Sequence, residues 1–172
     1  MNWHTGLLAL SLFTLFSCST PNYNEVSTFL EKSNSIKRTL DSLDRTTYST
    51  YMTTFLDSKS SLYGNKSSNE YLSFIANTTQ CYNDILTQLD SLHNHKSFLD
   101  TKSTLRALIV FQKEGLQNYY TEILTQEKID RTLDDRYNED YQHLQRLFFF
   151  NQIQLANNYG VQVADSTLKT LY

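Results

Sequence analysis

Proline occurs once in this chain, at Pro21, and glycine four times, at Gly6, Gly64, Gly115 and Gly160. A sheet protein of 172 residues needs many tight turns, which draw on those two residue types, so their scarcity disfavours strands and predicts long helices. Cysteine is nearly as rare: Cys18 and Cys81 are the two in the sequence. A framework of several disulfides is therefore excluded, and if Cys18 is taken up in another bond, as argued below, the fold must hold by packing alone. Basic excess is missing too, since the net charge is −3. A chain with that balance has no general attraction to phosphate backbones, and nucleic acid is not an expected partner.

Catalytic signatures are also wanting. The sequence contains no Gly-x-Ser-x-Gly elbow, Walker loop, dinucleotide-binding glycine pattern or His-Glu-x-x-His. An enzyme is not expected; a hydrolase assembled from distant carboxylates is the weakest reading retained. A diiron bundle needs two Glu-x-x-His pairs, whereas only Asp140 to His143 approaches that spacing, with aspartate in the glutamate place. Covalent haem would need Cys-x-x-Cys-His. Met52 and His143 as axial ligands are explained as well by a core methionine and a surface histidine. His93 and His95 supply two imidazoles, too few for a structural metal site. The acidic run Asp130, Asp134, Asp135, Glu139 and Asp140 lacks the glycine and terminal glutamate of a calcium loop, and Arg131 and Arg136 interrupt it. No metal and no cofactor are expected.

What is present is helical periodicity. Asn22 and Glu25 have capping-box spacing, and Val26, Phe29, Ser33, Ile36, Leu40, Leu43, Thr47, Tyr51 and Phe55 then step by three and four along one face. That predicts a helix reaching about residue 60. After the turn at Gly64, Ser67 and Glu70 open a second helix whose stripe is Tyr71, Leu72, Ile75, Thr79, Tyr82, Ile85, Leu86, Leu89 and Leu92. The polar run His93 to Lys96 makes the next connection. A third stripe comprises Leu105, Leu108, Ile109, Gln112, Leu116, Tyr119, Tyr120, Ile123 and Leu124. From residue 100 to 159 one unbroken helix would be about 90 Å long, so a reversal is needed, and the charged residues 127–135 are the expected place. A fourth helix carries Tyr137, Tyr141, Leu144, Leu147, Phe148, Asn151 and Leu155, with Gly160 as its left-handed cap.

The expected fold is all-α: an up-and-down bundle of four helices behind an N-terminal signal peptide, with an elongated two- or three-helix coiled hairpin as the alternative. The divisions are 1–17 leader, 18–24 polar tether, 25–160 bundle, and 161–172 a tail to which periodicity assigns no structure.

Residues 7–16 (LLALSLFTLF) form an apolar run too short to cross a bilayer but suited to the centre of a signal peptide. Leu15-Phe16-Ser17-Cys18 follows and resembles the lipobox of bacterial lipoprotein precursors: leucine three before the cysteine and a small residue just before it. Phe16 is bulkier than that pattern favours, and no lysine or arginine precedes the apolar run. The resemblance implies that Cys18 is acylated and becomes the mature N-terminus, which puts the protein in a bacterial cell envelope. Ser19 in place of aspartate fits outer-membrane sorting, facing periplasm or surface. Cys81 is then the one free thiol, expected as a small buried hydrophobe.

Phe148-Phe149-Phe150 is the most informative apolar feature of the mature part. Successive helical residues point about 100° apart, so three phenylalanines in a row cannot share one narrow stripe. Either the internal face is wide there, or the run, with Tyr119 and Tyr120, forms a partner surface or a contact between copies. These residues support a lipid-anchored helical module that binds an envelope protein, acting as an accessory, assembly or inhibitory factor. The alternative is a periplasmic helical carrier of an apolar or haem-like ligand.

Overall fold

A computed structural model describes residues 20–56, 69–125 and 131–162. Among them the chain is all-α, a helical bundle without strands. Helix α1 is Tyr23–Thr50, continued by one wider π-helical stretch, Tyr51–Leu56. Helix α2 is Asn69–Asp90, and a 3-10 turn, Lys96–Phe98, leads into α3, Leu99–Gln117. A short helix α4, Tyr119–Thr125, and a long α5, Arg131–Asn158, complete the order.

Local chemistry sets these bounds. Both halves of the Asn22/Glu25 box form: the Glu25 N–H donates to Asn22 Oδ1 at 3.1 Å, and the Asn22 N–H donates to Glu25 Oε2 at 2.8 Å. Two otherwise orphaned amides at the start of α1 are thereby satisfied. At the other end of the chain, Gly160 takes φ +66°, the Val161 N–H donates to the Ala156 carbonyl at 2.9 Å, and the Gly160 N–H to Asn157 at 3.3 Å. That is a Schellman closure of α5, with Val161 buried after it. The 3-10 turn is opened by His95, whose Nδ1 accepts from the Ser97 N–H at 3.1 Å.

Side-chain pairs fix the directions. Phe29 stacks on Phe98 with centroids 4.2 Å apart, and Tyr51 on Tyr120 at 4.6 Å; both pairs span 69 residues, so α1 and the α3–α4 rod run parallel in fixed register. Helix α2 runs against α3: Lys113 Nζ donates to Asn83 Oδ1 at 2.9 Å, and Arg106 pairs with Asp90 one end further on. Helix α5 runs against both, with Gln152 bonded to Ser33 and Tyr141 to Asp41. Helices α1 and α3 therefore touch across the axis while α2 and α5 flank them. Alternating neighbours in this way are the up-and-down arrangement.

The α1 stripe is internal from Val26 to Tyr51, although Leu43 is only half-buried. The second stripe holds less well: Leu72 is exposed, Thr79 is half-buried, and Thr78 turns inward instead. The window expected for the reversal, 127–135, is narrowed: residues 131–135 are already helical in α5, and residues 126–130 lie outside the described residues. A charged stretch with no apolar stripe reads as a loop, yet acidic residues in the opening turns of a helix complement its dipole. The third rod is broken at Asn118, where helical hydrogen bonding persists through the Asn118 N–H to Glu114 and the Glu122 N–H to Asn118, both 2.8 Å. Ser67, Gly64 and residues 163–172, as well as the leader with Cys18, lie outside the described residues.

Candidate functional site

The interior changes character along its length. Toward the start of α1 it is filled by Val26, Phe29, Leu30, Phe98, Leu105, Phe148 and Leu155. Halfway up α1, tyrosines and polar groups replace them. Lys37, almost wholly buried, pairs with Asp41 at 2.6 Å and lies 5.8 Å from the centroid of the Phe149 ring. Asp41 also accepts from Tyr141 Oη at 3.2 Å, and Gln145 Nε2 donates to that same Tyr141 hydroxyl at 2.9 Å. One turn on, Asp44 is half-buried. Desolvation pushes its carboxyl above the ordinary range, repulsion from Asp41 adds to this, and Lys37 opposes it.

Four phenols answer to Asp44. Burial raises Tyr82, Tyr120, Tyr137 and Tyr141, and the Asp44 charge raises each further. All four are therefore neutral at physiological pH, serving as hydrogen-bond donors and acceptors rather than as bases. Tyr82 bonds Thr47, Tyr51 Oη donates to the Tyr120 carbonyl at 2.8 Å, and Tyr71 shares a 2.9 Å bond with Thr121.

Sterics explain how one ring enters this layer. Tyr137 of α5 is stacked between Phe111 at 4.8 Å and Tyr119 at 4.5 Å, with its edge against Gly115. A methyl group on Gly115 would come within 2.6 Å of Tyr137 Cε2. The absence of a side chain there is what admits the phenol.

The fixed register of α1 and α3 brings Gln112 level with Leu43 and Asp44. Gln112 is 2% exposed, and neither its Nε2 nor its Oε1 has a hydrogen-bond partner. An amide in that state carries an uncompensated desolvation cost. Gln152 is better served, donating to Ser33 Oγ and Asn34 Oδ1 at 3.0 Å each, although its Oε1 is unpaired. Neither Asp44 nor Gln112 lines any of three surface clefts among the described residues. One of about 370 Å³ has Asn22, Phe29, Lys32 and His93 in its walls; another, of about 600 Å³, runs between α1 and α2; a third, of about 410 Å³, sits beside Ser97 and Tyr159.

The residues singled out from the sequence separate. Phe148 and Phe149 are buried, the first in the core and the second under the Lys37 ammonium. Only Phe150 is exposed, at 59%. Tyr120 is buried on Tyr51 and Tyr119 is half-buried on Tyr137, so the five do not make one surface patch. The reason is a wide internal face: Phe148, Phe149, Gln152, Leu155 and Ala156 span the broad stripe that a helix wedged between two others must bury. Cys81 departs from expectation as well, being an exposed free thiol in the α1–α2 groove. Asp135, Glu139, Asp140 and His143 are on the solvated face of α5, and Met52 packs at the core edge. Among the described residues, no group of three His, Cys, Asp or Glu side chains is placed to hold a metal ion.

Asp44 and the Gly115–Tyr137 contact were not singled out in the sequence. Tyr82, Gln112, Tyr137 and Tyr141 each stood in an apolar stripe, and a glutamine in such a stripe was the available signal. No protein-family model, curated protein or solved structure matches the chain.

Proposed function

We propose that this protein is a lipid-anchored, non-enzymatic helical interaction module of a bacterial cell envelope, held at the membrane through Cys18, with outer-membrane placement as the favoured address. The observation that carries the reading is the close spacing of two signals. The lipobox-like Leu15-Phe16-Ser17-Cys18 ends four residues before the capping box that starts α1. A folded body that begins so soon after the cysteine is what a short-tethered lipoprotein requires. No helix among the described residues is long and apolar enough to cross a membrane, so attachment through the N-terminus would be needed.

The docking role draws on Phe150 and Leu147, exposed apolar side chains on α5. Stacked rings along the bundle axis favour docking over an internal carrier of apolar or haem-like ligands. The test is labelling of the full-length chain with a fatty-acid analogue in an envelope-bearing bacterial host. Labelled protein whose signal disappears in Cys18→Ser is expected; unchanged labelling of that variant would overturn the anchor. For the docking role, a photo-crosslinking residue in place of Phe150 should give a discrete adduct in intact envelopes, and its absence there would remove α5 as the contact.

A further inference from the structure

Resting on that anchor, we infer that the bundle stands end-on at the membrane, with the α2–α3 connection against a phospholipid surface and the tyrosine layer farthest from it. Four residue steps separate Cys18 from Asn22, a span of at most about 14 Å even when fully extended. Pro21 is already buried against the body, which shortens the free tether further. A lipid on Cys18 thus holds the first turn of α1 at headgroup depth.

Which surfaces accompany that turn follows from the packing. Phe98 stacks on Phe29, so the connection between α2 and α3 is at the same end. Lys102 Nζ donates to the Leu92 carbonyl at 3.1 Å and pins that connection to α3. Ser97 Oγ and Tyr159 Oη, 2.8 Å apart, bring the Schellman end of α5 there as well. The cleft of about 370 Å³ opens at this end, with donors on Asn24, Thr28, Lys32 and His93 beside the apolar Phe29 and Leu92. The Glu25 carboxylate in the same cleft is held by the Asn22 N–H. Hydrogen-bond donors around an apolar floor fit a phosphate headgroup with its glyceryl stem. Phospholipid is the occupant to which the tether length commits this end.

Distances along α1 then set heights. At 1.5 Å per residue, Ser49 stands about 40 Å above Asn22. Phe150, level with the first third of α1 through the Gln152 to Ser33 contact, projects sideways about 20 Å above the same point. A protein partner would reach the flank or the far end, and not the tethered end.

The test uses the full-length chain carrying Cys81→Ser, processed in cells, extracted and reconstituted into phosphatidylethanolamine–phosphatidylglycerol vesicles containing a nitroxide-labelled lipid. A fluorophore is attached through Asn94→Cys in one sample and through Ser49→Cys in another, and only vesicle-floated protein is measured. Quenching of the label at position 94 by two-fold or more, with the label at position 49 unchanged, is the expected result. Floated protein quenched equally at both positions, or more at 49, would overturn the upright orientation while leaving the anchor intact. Absence of any floated protein would overturn the anchor, and the orientation with it.

Discussion

Where the chain enters α1, Phe29 and Phe98 stack at 4.2 Å between a complete capping box and a Schellman closure, and the interior there is mainly hydrocarbon, with one unpaired oxygen on Gln152. Tyr51 and Tyr120 stack almost as closely at the other end, 4.6 Å, but around them are Asp44, four more raised phenols and, deeper, the unbonded amide of Gln112. Geometry is similar at both ends while the chemistry differs. Hydrocarbon burial is the main support of the first end, whereas the second depends more heavily on each hydroxyl and amide finding a partner. The comparison teaches that one bundle can be closed mainly by hydrocarbon at one end and by a network of hydroxyls and amides at the other.

Removing the ring that closes the Phe29 end should have the largest effect. Phe98→Ala is expected to cost about 3–5 kcal/mol in urea unfolding of a protein beginning at Ser19, as for other large buried aromatics. A loss under 1 kcal/mol would erase the contrast between the ends. Gly115→Ala attacks the other end by displacing Tyr137 from between Phe111 and Tyr119. Overpacking of this kind costs about 1–3 kcal/mol, and the loss should be accompanied by a changed near-ultraviolet tyrosine signal. Retention of both stability and signal would show that the ring has room to move.

Gln112→Leu should act in the opposite direction. Replacing an unpaired buried amide with hydrocarbon of similar volume is expected to raise stability by about 1–2 kcal/mol, read as a higher urea midpoint with an unchanged slope. A lower midpoint would mean that the amide has a partner, and the polar end would then be as well satisfied as the apolar one.

Period and caps were legible in the sequence because they depend on near neighbours. The α1 stripe, the Asn22 box and the Gly160 cap need only residues three to five positions apart. The expected patch of Phe148, Phe149, Tyr119 and Tyr120 was not, since the width of a buried face is decided by how many helices press on it. Periodicity also cannot register parallel rods. That Gln112 stands level with Asp44 follows from a parallel offset, and that Gly115 faces a tyrosine 22 positions later from an antiparallel one; no local pattern encodes either. The α5 start was hidden for a different reason: the sequence there is dominated by charged residues, and helix propensity and the dipole act without an apolar stripe to announce them.

The smallest effect, and the one most specific to the polar end, belongs to Asp44. Desolvation and Asp41 together raise its folded pKa above the ordinary 3.8 of an aspartate, so the folded state binds this proton more tightly than the unfolded chain does. Stability contributed by the group therefore falls as pH rises from 3.8 through the raised folded value, and the resulting cost is fully present at neutral pH. Asp44→Asn removes that ionisation while keeping the shape. The variant should be more stable than the parent at pH 7, with the advantage shrinking as pH falls through the carboxylate range and vanishing below 3.8. Urea midpoints at a series of pH values measure it. A variant less stable at pH 7, or a gain independent of pH, would mean that the Asp44 carboxylate is a net support of the tyrosine layer rather than a strain within it.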